Sequence, residues 1–181
     1  PAISIAAVTK VGTTDGELLV RPLIVPRLFY GSFTSNQTQN CASSNTATAV
    51  TFNVTEFSSG QNIITYQTVP NAGVQAVYSG LYNYQFSMQL RSSSSNKHDV
   101  WIWARNNGTD IVDSATRVSI ESNGGMLVPA WNFVVSMAAS DVFQLMWAVD
   151  DHTKISMVAE ANTAFCPSIP SVLLSVTQVN Q

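Results

Sequence analysis

The feature that most constrains the fold is a strict two-residue alternation over residues 81–90, LYNYQFSMQL. The larger apolar side chains fall on one side of the segment: Tyr82, Tyr84, Phe86, Met88 and Leu90. Successive side chains of a β-strand point to opposite faces, whereas a helix would scatter the same residues around its axis. The alternation therefore predicts a strand with one buried face.

Nine further segments have strand character with weaker alternation: residues 29–35, 48–54, 62–69, 99–105, 111–121, 128–137, 141–149, 154–160 and 170–179. Turn-forming residues lie between them, at 71–74, 91–97, 106–110, 122–125 and 150–154. No segment has the pattern of a long helix. Short strands at this spacing predict an all-β protein, an antiparallel β-sandwich or jelly roll of about ten strands.

Residues 1–28 differ from the rest of the chain. They contain three prolines and two glycines, and their apolar patches follow no sustained period. Such a segment indicates an extended N-terminal arm, followed by a single jelly-roll domain at 29–181. We expect a neighbouring subunit to hold the arm, because chain ends fray when nothing binds them.

Charge is unusually scarce. Asp, Glu, Lys and Arg make up 10% of the residues, against about 25% in typical globular chains. Ser, Thr, Asn and Gln, at 62 of 181 residues, must hydrate most of the surface. Such a surface repels copies of itself weakly, so the composition favours self-assembly.

The same charge pattern bears on partners. The net charge is −3 and the basic residues are scattered singly, so we expect no nucleic-acid binding. No run of 18 apolar residues occurs, and the first residues lack the basic-then-apolar layout of a secretion signal. We therefore expect neither a membrane span nor a leader in this sequence.

The stretch DVWIWAR, residues 99–105, has two apolar faces. Val100 and Ile102 point one way, and Trp101 and Trp103 point the other. Three explanations are open. The tryptophans fill the core, or they are covered by another copy of the chain, or their rings form a platform on which a sugar stacks.

Two sets of candidate residues follow. Large aromatic side chains and one arginine are candidates for an oligomer interface: Trp101, Trp103, Arg105, Tyr82, Tyr84, Trp131 and Trp147. Polar side chains near the loops at 91–97 and 150–154 are candidates for binding glycans: His98, Asp150, Asp151 and His152.

The sequence carries no specific sign of catalysis. His98 and Asp99 lack a serine in a recognisable nucleophile motif, and residues 150–154 have the composition of a polar hairpin turn. A calcium site at Asp150 or Asp151 stays open, as does a disulfide between Cys41 and Cys166. We expect no enzymatic activity, no cofactor and no resident metal.

Several motifs in a fixed order resemble a group of proteins common in bacteriophages and environmental viral sequences. They are GLYNYQFSMQLRSSSSNKHDVWIWARNNGTDIVDS, PAWNFVVSMAASDVFQLMWAV and PSVLLSVTQV, with NTATAVTFNVTEFSSG upstream. The likeness covers residues 29–179. It implies a jelly roll of the tumour-necrosis-factor and complement globular-head type, closing as a homotrimer around an apolar axis.

The resemblance implies a role on the virion. The expected function is that of a non-enzymatic structural protein, such as a capsid decoration, collar or fibre protein, docked on major capsid or tail proteins through the N-terminal arm. The alternative is a receptor-binding tip that recognises host surface glycans. A third hypothesis is a cellular trimeric ligand of the cytokine or complement class.

Overall fold

The structure is a computed structural model that describes residues 6–11, 18–22, 29–59, 63–66, 72–121 and 124–180. Turns and loops join its strands, and the described residues include no helix. The strands in chain order are β1 (Ala6–Val11), β2 (Leu18–Pro22), β3 (Tyr30–Ser35), β4 (Thr48–Ala49), β5 (Val54–Ser58), β6 (Ile63–Tyr66), β7 (Gly73–Ala76), β8 (Gly80–Met88), β9 (Leu90–Ser92), β10 (His98–Asn106), β11 (Thr109–Asp110), β12 (Thr116–Ile120), β13 (Met126–Leu127), β14 (Ala130–Met137), β15 (Val142–Val149), β16 (Ile155–Met157) and β17 (Val172–Asn180).

Two antiparallel sheets form the body of the protein. Sheet I has the order β14-β8-β17-β3-β5. Sheet II has the order β11-β10-β15-β7-β6, with β12 beside β10 and β4 beside β15. A small third sheet has the order β13-β9-β16, and its central strand β9 begins at Leu90, just after β8 ends. Neighbours in a sheet are often distant in the chain, as in a jelly roll.

The hydrophobic core lies between sheets I and II. Strand β8 buries the face that the alternation predicts, and both Tyr82 and Tyr84 are fully buried. The ring of Tyr84 stacks on Phe143 of β15, with 3.8 Å between centroids. Phe133 of β14 lies against the ring of Phe143, with 6.2 Å between the two centroids. Aromatic contacts therefore join the inner faces of the two sheets.

Strand β15 is buried on both faces, unlike most of its neighbours. Residues 143–149 are all buried. On the inner side, Phe143 and Trp147 join the main core, while Met146 on the outer side packs with Ala49 and Ala72. Met146 is therefore buried by a small second cluster, to which Ala49 of the paired strand β4 contributes.

The predicted strands are found, but several are shorter or divided. The structure has seventeen strands among its described residues, against about ten predicted. The predicted strand at 48–54 is split between β4, which pairs with β15, and β5, which pairs with β3. The predicted strand at 111–121 begins only at Thr116, and residues 67–69 of another lie outside the described part.

The prediction of a turn at residues 71–74 was wrong from residue 73 onward, and residue 71 lies outside the described part. Gly73–Ala76 is a strand that pairs with β15. A Cβ on Gly73 would collide with the backbone oxygen of Phe143. The glycine therefore permits a close approach between strands, a role that a turn signal in the sequence does not distinguish.

Within the predicted arm, β1 and β2 pair antiparallel with each other. These two strands form their own sheet, with a register shift between Val8 and Lys10. The other residues of 1–28 lie outside the described part. The boundary between arm and domain, and the docking of the arm on a neighbour, stay predictions.

The predicted Asn-Asn-Gly turn is present and is tied to the next hairpin. Asn107 and Gly108 have φ of 49° and 80°, the left-handed region that these residue types tolerate. The carboxylate of Asp141 accepts hydrogen bonds from the side-chain amides of Asn106 and Asn107 and from the backbone N–H of Ala138. Asp141 therefore joins two turns.

Candidate functional site

The two faces of β10 separate as the alternation requires. Val100, Ile102 and Ala104 are fully buried in the core, and Trp101 and Trp103 are half-buried on the outer face of sheet II. The explanation that the tryptophans fill the core is therefore wrong. A surface role for the two indoles, as an interface or as a binding platform, stays a prediction.

A hydrogen-bonded group fixes one of these tryptophans. The indole Nε1 of Trp103 donates to Oδ1 of Asp110 at 2.7 Å, and Nε of Arg105 donates to the same oxygen at 2.7 Å. The bond from Arg105 holds the pKa of Asp110 below its ordinary value, and the bond from Trp103 acts in the same direction. The pair cancels the net charge beside the indole.

A shallow pocket lies over the two tryptophans. Its volume is about 370 Å³, and it is open to solvent. Its walls are the indoles and four smaller residues: Asn45, Ala47, Trp101, Trp103, Ala115 and Ala148. Ala148 lies directly across from Trp101 in the register of β15 and β10. The small side chains leave room beside the rings, and this creates the concavity. We call this site the tryptophan pocket.

The other aromatic interface candidates lie elsewhere. Tyr82, Tyr84 and Trp147 are fully buried in the core of a single chain, so no second copy is needed to cover them. The prediction that these three residues lie at an oligomer interface was therefore wrong. Trp131 is half-buried and packs edge-on against Phe86, with 4.7 Å between centroids. The sequence identified large aromatics correctly but not the layer that each occupies.

The outer face of sheet I is the surface that the sequence analysis missed. Four adjacent strands, β14, β8, β17 and β3, present there side chains without any charge. These described residues are Ala130, Asn132, Val134, Ser136, Leu81, Asn83, Gln85, Ser87, Leu173, Ser175, Thr177, Val179, Tyr30, Ser32 and Thr34. Ser32 and Thr34 point to this side but are buried. We call this surface the uncharged face.

Large apolar side chains are exposed on the uncharged face. Val134 is 56% exposed, Val179 53% and Tyr30 49%, and Leu81 and Leu173 are each 37% exposed. A signal for this face was present in the alternate positions of 81–87 and 130–136, which lack charge on the polar side of each strand. These positions could not be recognised as one surface until the sheet order showed that the strands lie side by side.

The outer face of sheet II has the opposite character. Arg117 of β12 lies 3.6 Å from a carboxylate oxygen of Asp99 on β10. Arg105 and Asp110 form a second ion pair on the same side. Charged groups that are already paired and hydrated lose solvation when a partner covers them. This face is therefore the poorer candidate for an extended contact between copies.

The glycan candidates in the loops are occupied by internal contacts. Asp150 accepts from Nδ1 of His98 at 2.9 Å and from the backbone N–H of Asp99 at 3.0 Å. His152 is bonded through its backbone N–H to the hydroxyl of Ser44. These groups join loops to sheet II, so their first role is structural.

Asp151 has a local role as well. The backbone N–H and the hydroxyl of Thr153 both donate to Oδ1 of Asp151, at 2.9 and 2.7 Å. These bonds lower the pKa of the Asp151 carboxyl. The arrangement matches the polar hairpin turn that the sequence indicates. Glycan binding by these four residues stays a prediction.

The sequence predicts no resident metal and leaves open a disulfide between Cys41 and Cys166. The described ranges hold no group of three or more His, Cys, Asp or Glu side chains able to enclose a metal ion. Cys41 is buried, which raises its pKa, and Cys166 is partly exposed, with both thiols free. No helix within the described residues is long and apolar enough to cross a membrane.

Comparison with known proteins identifies the fold and no family. No family model and no curated protein matches the chain. It is similar to the crystal structure of murine APRIL at pH 8.5, with a TM-score of 0.50 and 8% identity, over 84% of this chain and 100% of that one. The globular domain of zebrafish complement 1qA protein is similar over 83% of this chain and 97% of that one, with a TM-score of 0.45 and 12% identity. The likeness to APRIL confirms the predicted fold, an antiparallel jelly roll of the tumour-necrosis-factor type.

Proposed function

We propose that the protein is a non-enzymatic structural component of a virion and that it works as a homotrimer. The copies assemble through the uncharged face of sheet I, and the N-terminal arm docks the trimer on capsid or tail proteins. The order of the viral-type motifs supports the virion role. The concentration of exposed apolar side chains on a face without charge supports self-assembly.

The energetics favour this face for assembly. Four strands about 4.8 Å apart and about 25 Å long cover roughly 20 by 25 Å. This approaches the scale of a specific interface, which buries about 800 Å² per partner. Burial of apolar surface contributes about 25 cal/mol per Å². The four strands of this face carry no charge of their own, and the carboxylate of Glu56, on the edge strand β5, already accepts a hydrogen bond from Thr34.

The contacts on the outer face of sheet II argue against Trp101, Trp103 and Arg105 as trimer residues. Trp103 and Arg105 are already bonded to Asp110, and Arg117 adds a further charge nearby. Covering them would desolvate an ion pair without a new partner for it. We therefore place the trimer contact on sheet I.

A pair of matched variants tests the assembly. Val134 is 56% exposed on the uncharged face, and Val112 is 84% exposed in a turn beyond β11. Val134→Glu introduces a carboxylate that trimerisation would bury, so it should yield a monomer near 19.5 kDa. Val112→Glu adds the same charge elsewhere and should keep the trimer. Light scattering coupled to size exclusion at micromolar concentration measures both masses.

The outcomes decide the proposal. A wild-type mass of three chains, lost in Val134→Glu and kept in Val112→Glu, supports it, provided that circular dichroism shows both variants folded. A monomeric wild type, or a trimer that survives Val134→Glu, overturns it. The virion role is tested by peptide mass spectrometry of purified particles, in which absence of the protein would contradict that role.

A further inference from the structure

The tryptophan pocket on sheet II has chemistry that trimer assembly does not use. We propose that it binds one neutral pyranose ring of a glycan, stacked on the indoles of Trp101 and Trp103. This site lies on the opposite sheet from the assembly face and differs from the loop residues around Asp150. It goes beyond the structural role, and neither proposal depends on the other.

The shape of the pocket suits a small flat ligand. Its volume of about 370 Å³ lies within the range of about 300–1,000 Å³ usual for ligand sites. Ala47, Ala115 and Ala148 are too small to cover the rings, so aromatic surface stays open within the concavity. The bond from Trp103 to Asp110 fixes one ring before any ligand arrives, which lowers the entropic cost of binding.

The chemistry of the walls matches the two sides of a sugar. A pyranose has a face of C–H groups, and these favour the negative π-face of an aromatic ring. Its edge carries hydroxyls that need donors and acceptors. The side-chain amide of Asn45 lines the pocket, and the carboxylate of Asp110 and the guanidinium of Arg105 lie beside the indole of Trp103.

The charged groups bonded beside Trp103 favour a neutral ligand. Nε of Arg105 lies 2.7 Å from Oδ1 of Asp110, and the two side chains carry opposite charges. An anionic ligand would approach the Asp110 carboxylate, and a cationic one would approach the Arg105 guanidinium. Because the two charges offset each other, the pocket attracts neither sign strongly. A neutral hexose meets no such repulsion.

Titration with simple glycosides tests the site. The probes are the methyl glycosides of glucose, galactose, mannose and N-acetylglucosamine, added to the full chain. At least one should shift the tryptophan emission with a Kd of about 1 mM, a weak affinity in keeping with a single open pocket. Absence of any saturable shift with all four overturns the proposal.

Three variants locate the binding. Trp101→Ala removes a stacking face, and Ala115→Leu fills the pocket from an exposed loop position while both indoles remain. Both should weaken binding at least tenfold. Phe165→Ala is the control, because it removes an aromatic ring that is 91% exposed and does not line the pocket. Equal binding by Ala115→Leu and wild type overturns the assignment.

Two further outcomes separate this site from assembly. Sugar binding should persist in Val134→Glu, whose change lies on sheet I. The second outcome is a tryptophan emission that changes with protein concentration in the wild type but not in Phe165→Ala. It would mean that Phe165 of another copy occupies the pocket, and the sugar proposal would fail.

Discussion

At the residue scale, the two core tyrosines differ in what their hydroxyls contact. The hydroxyl of Tyr82 donates to the backbone oxygen of Tyr78 at 2.9 Å. The hydroxyl of Tyr84 is buried without a hydrogen-bond partner among the described residues, and burial raises its pKa. A buried polar group without a partner costs free energy, whereas a satisfied one contributes about 1 kcal/mol.

The pair predicts opposite effects of the same change. Tyr84→Phe should leave the free energy of unfolding unchanged or raise it by up to about 1 kcal/mol, because it removes an unsatisfied hydroxyl. Tyr82→Phe should lower it by about 1 kcal/mol. Urea unfolding at one fixed protein concentration measures both. A larger loss for Tyr84→Phe than for Tyr82→Phe would contradict the assignment of partners.

At the element scale, Asp141 links the turn after β10 to the turn before β15. Burial tends to raise its pKa, but the bonds from Asn106, the Ala138 N–H and Asn107 together outweigh it and lower the pKa. A lowered pKa in the folded protein means that folding favours the carboxylate. The contribution to stability is therefore complete above the ordinary carboxyl pKa and is lost as the pH falls through the lowered value.

Replacement of Asp141 should remove this pH dependence. Asp141→Asn puts an amide donor opposite two donor amides, so we expect about 1 kcal/mol less stability at neutral pH. As the pH falls below the ordinary carboxyl pKa of about 4, the difference from wild type should shrink, because the native carboxylate is protonated. Asp113→Asn, in an exposed turn, is the control. A difference from wild type that does not change with pH would argue against the linkage.

At the scale of the whole molecule, charge is divided unequally between the two sheets. The uncharged face covers four strands of sheet I, while ion pairs such as Arg105–Asp110 lie on the outside of sheet II. A sandwich with one such face exposes apolar surface that self-association removes from water. Sheet II is left free for contact with solvent or ligand.

Assembly through sheet I should make thermal stability depend on concentration. A partner that binds only the folded state raises stability by mass action, so the wild-type Tm should rise with protein concentration. The Tm of Val134→Glu should stay constant over the same range. Differential scanning fluorimetry from about 1 to 100 μM measures this. A constant wild-type Tm would count against association in this range.

Much of the fold could be predicted because strand burial leaves a local record. The alternation at 81–90 assigned the correct buried side chains. At 99–105 it separated two faces but left open which of them was inside. Val100 and Ile102 pack in the core because sheet I lies on their side. That choice depends on a neighbour far along the chain, which periodicity does not encode.

The candidate sites were predicted less well for the same reason. Local sequence marked Trp101 and Trp103 as unusual, but the pocket needs Ala148 from β15 and Asn45 from a distant loop. Likewise, Asp150 resembles a ligand-binding residue until His98 is found beside it. Whether a polar side chain is free to bind a ligand depends on partners that lie far away in the sequence and meet it only in the folded chain.

The sequence by itself determined an all-β chain, the Asn-Asn-Gly turn and the scarcity of charge, because residue type and short-range periodicity control these properties. Only the tertiary structure decided that uncharged positions on β14, β8, β17 and β3 form one continuous surface, since sheet order brings together strands that lie far apart in the chain. Surface chemistry is a property of that adjacency, and so is the function that we propose for it.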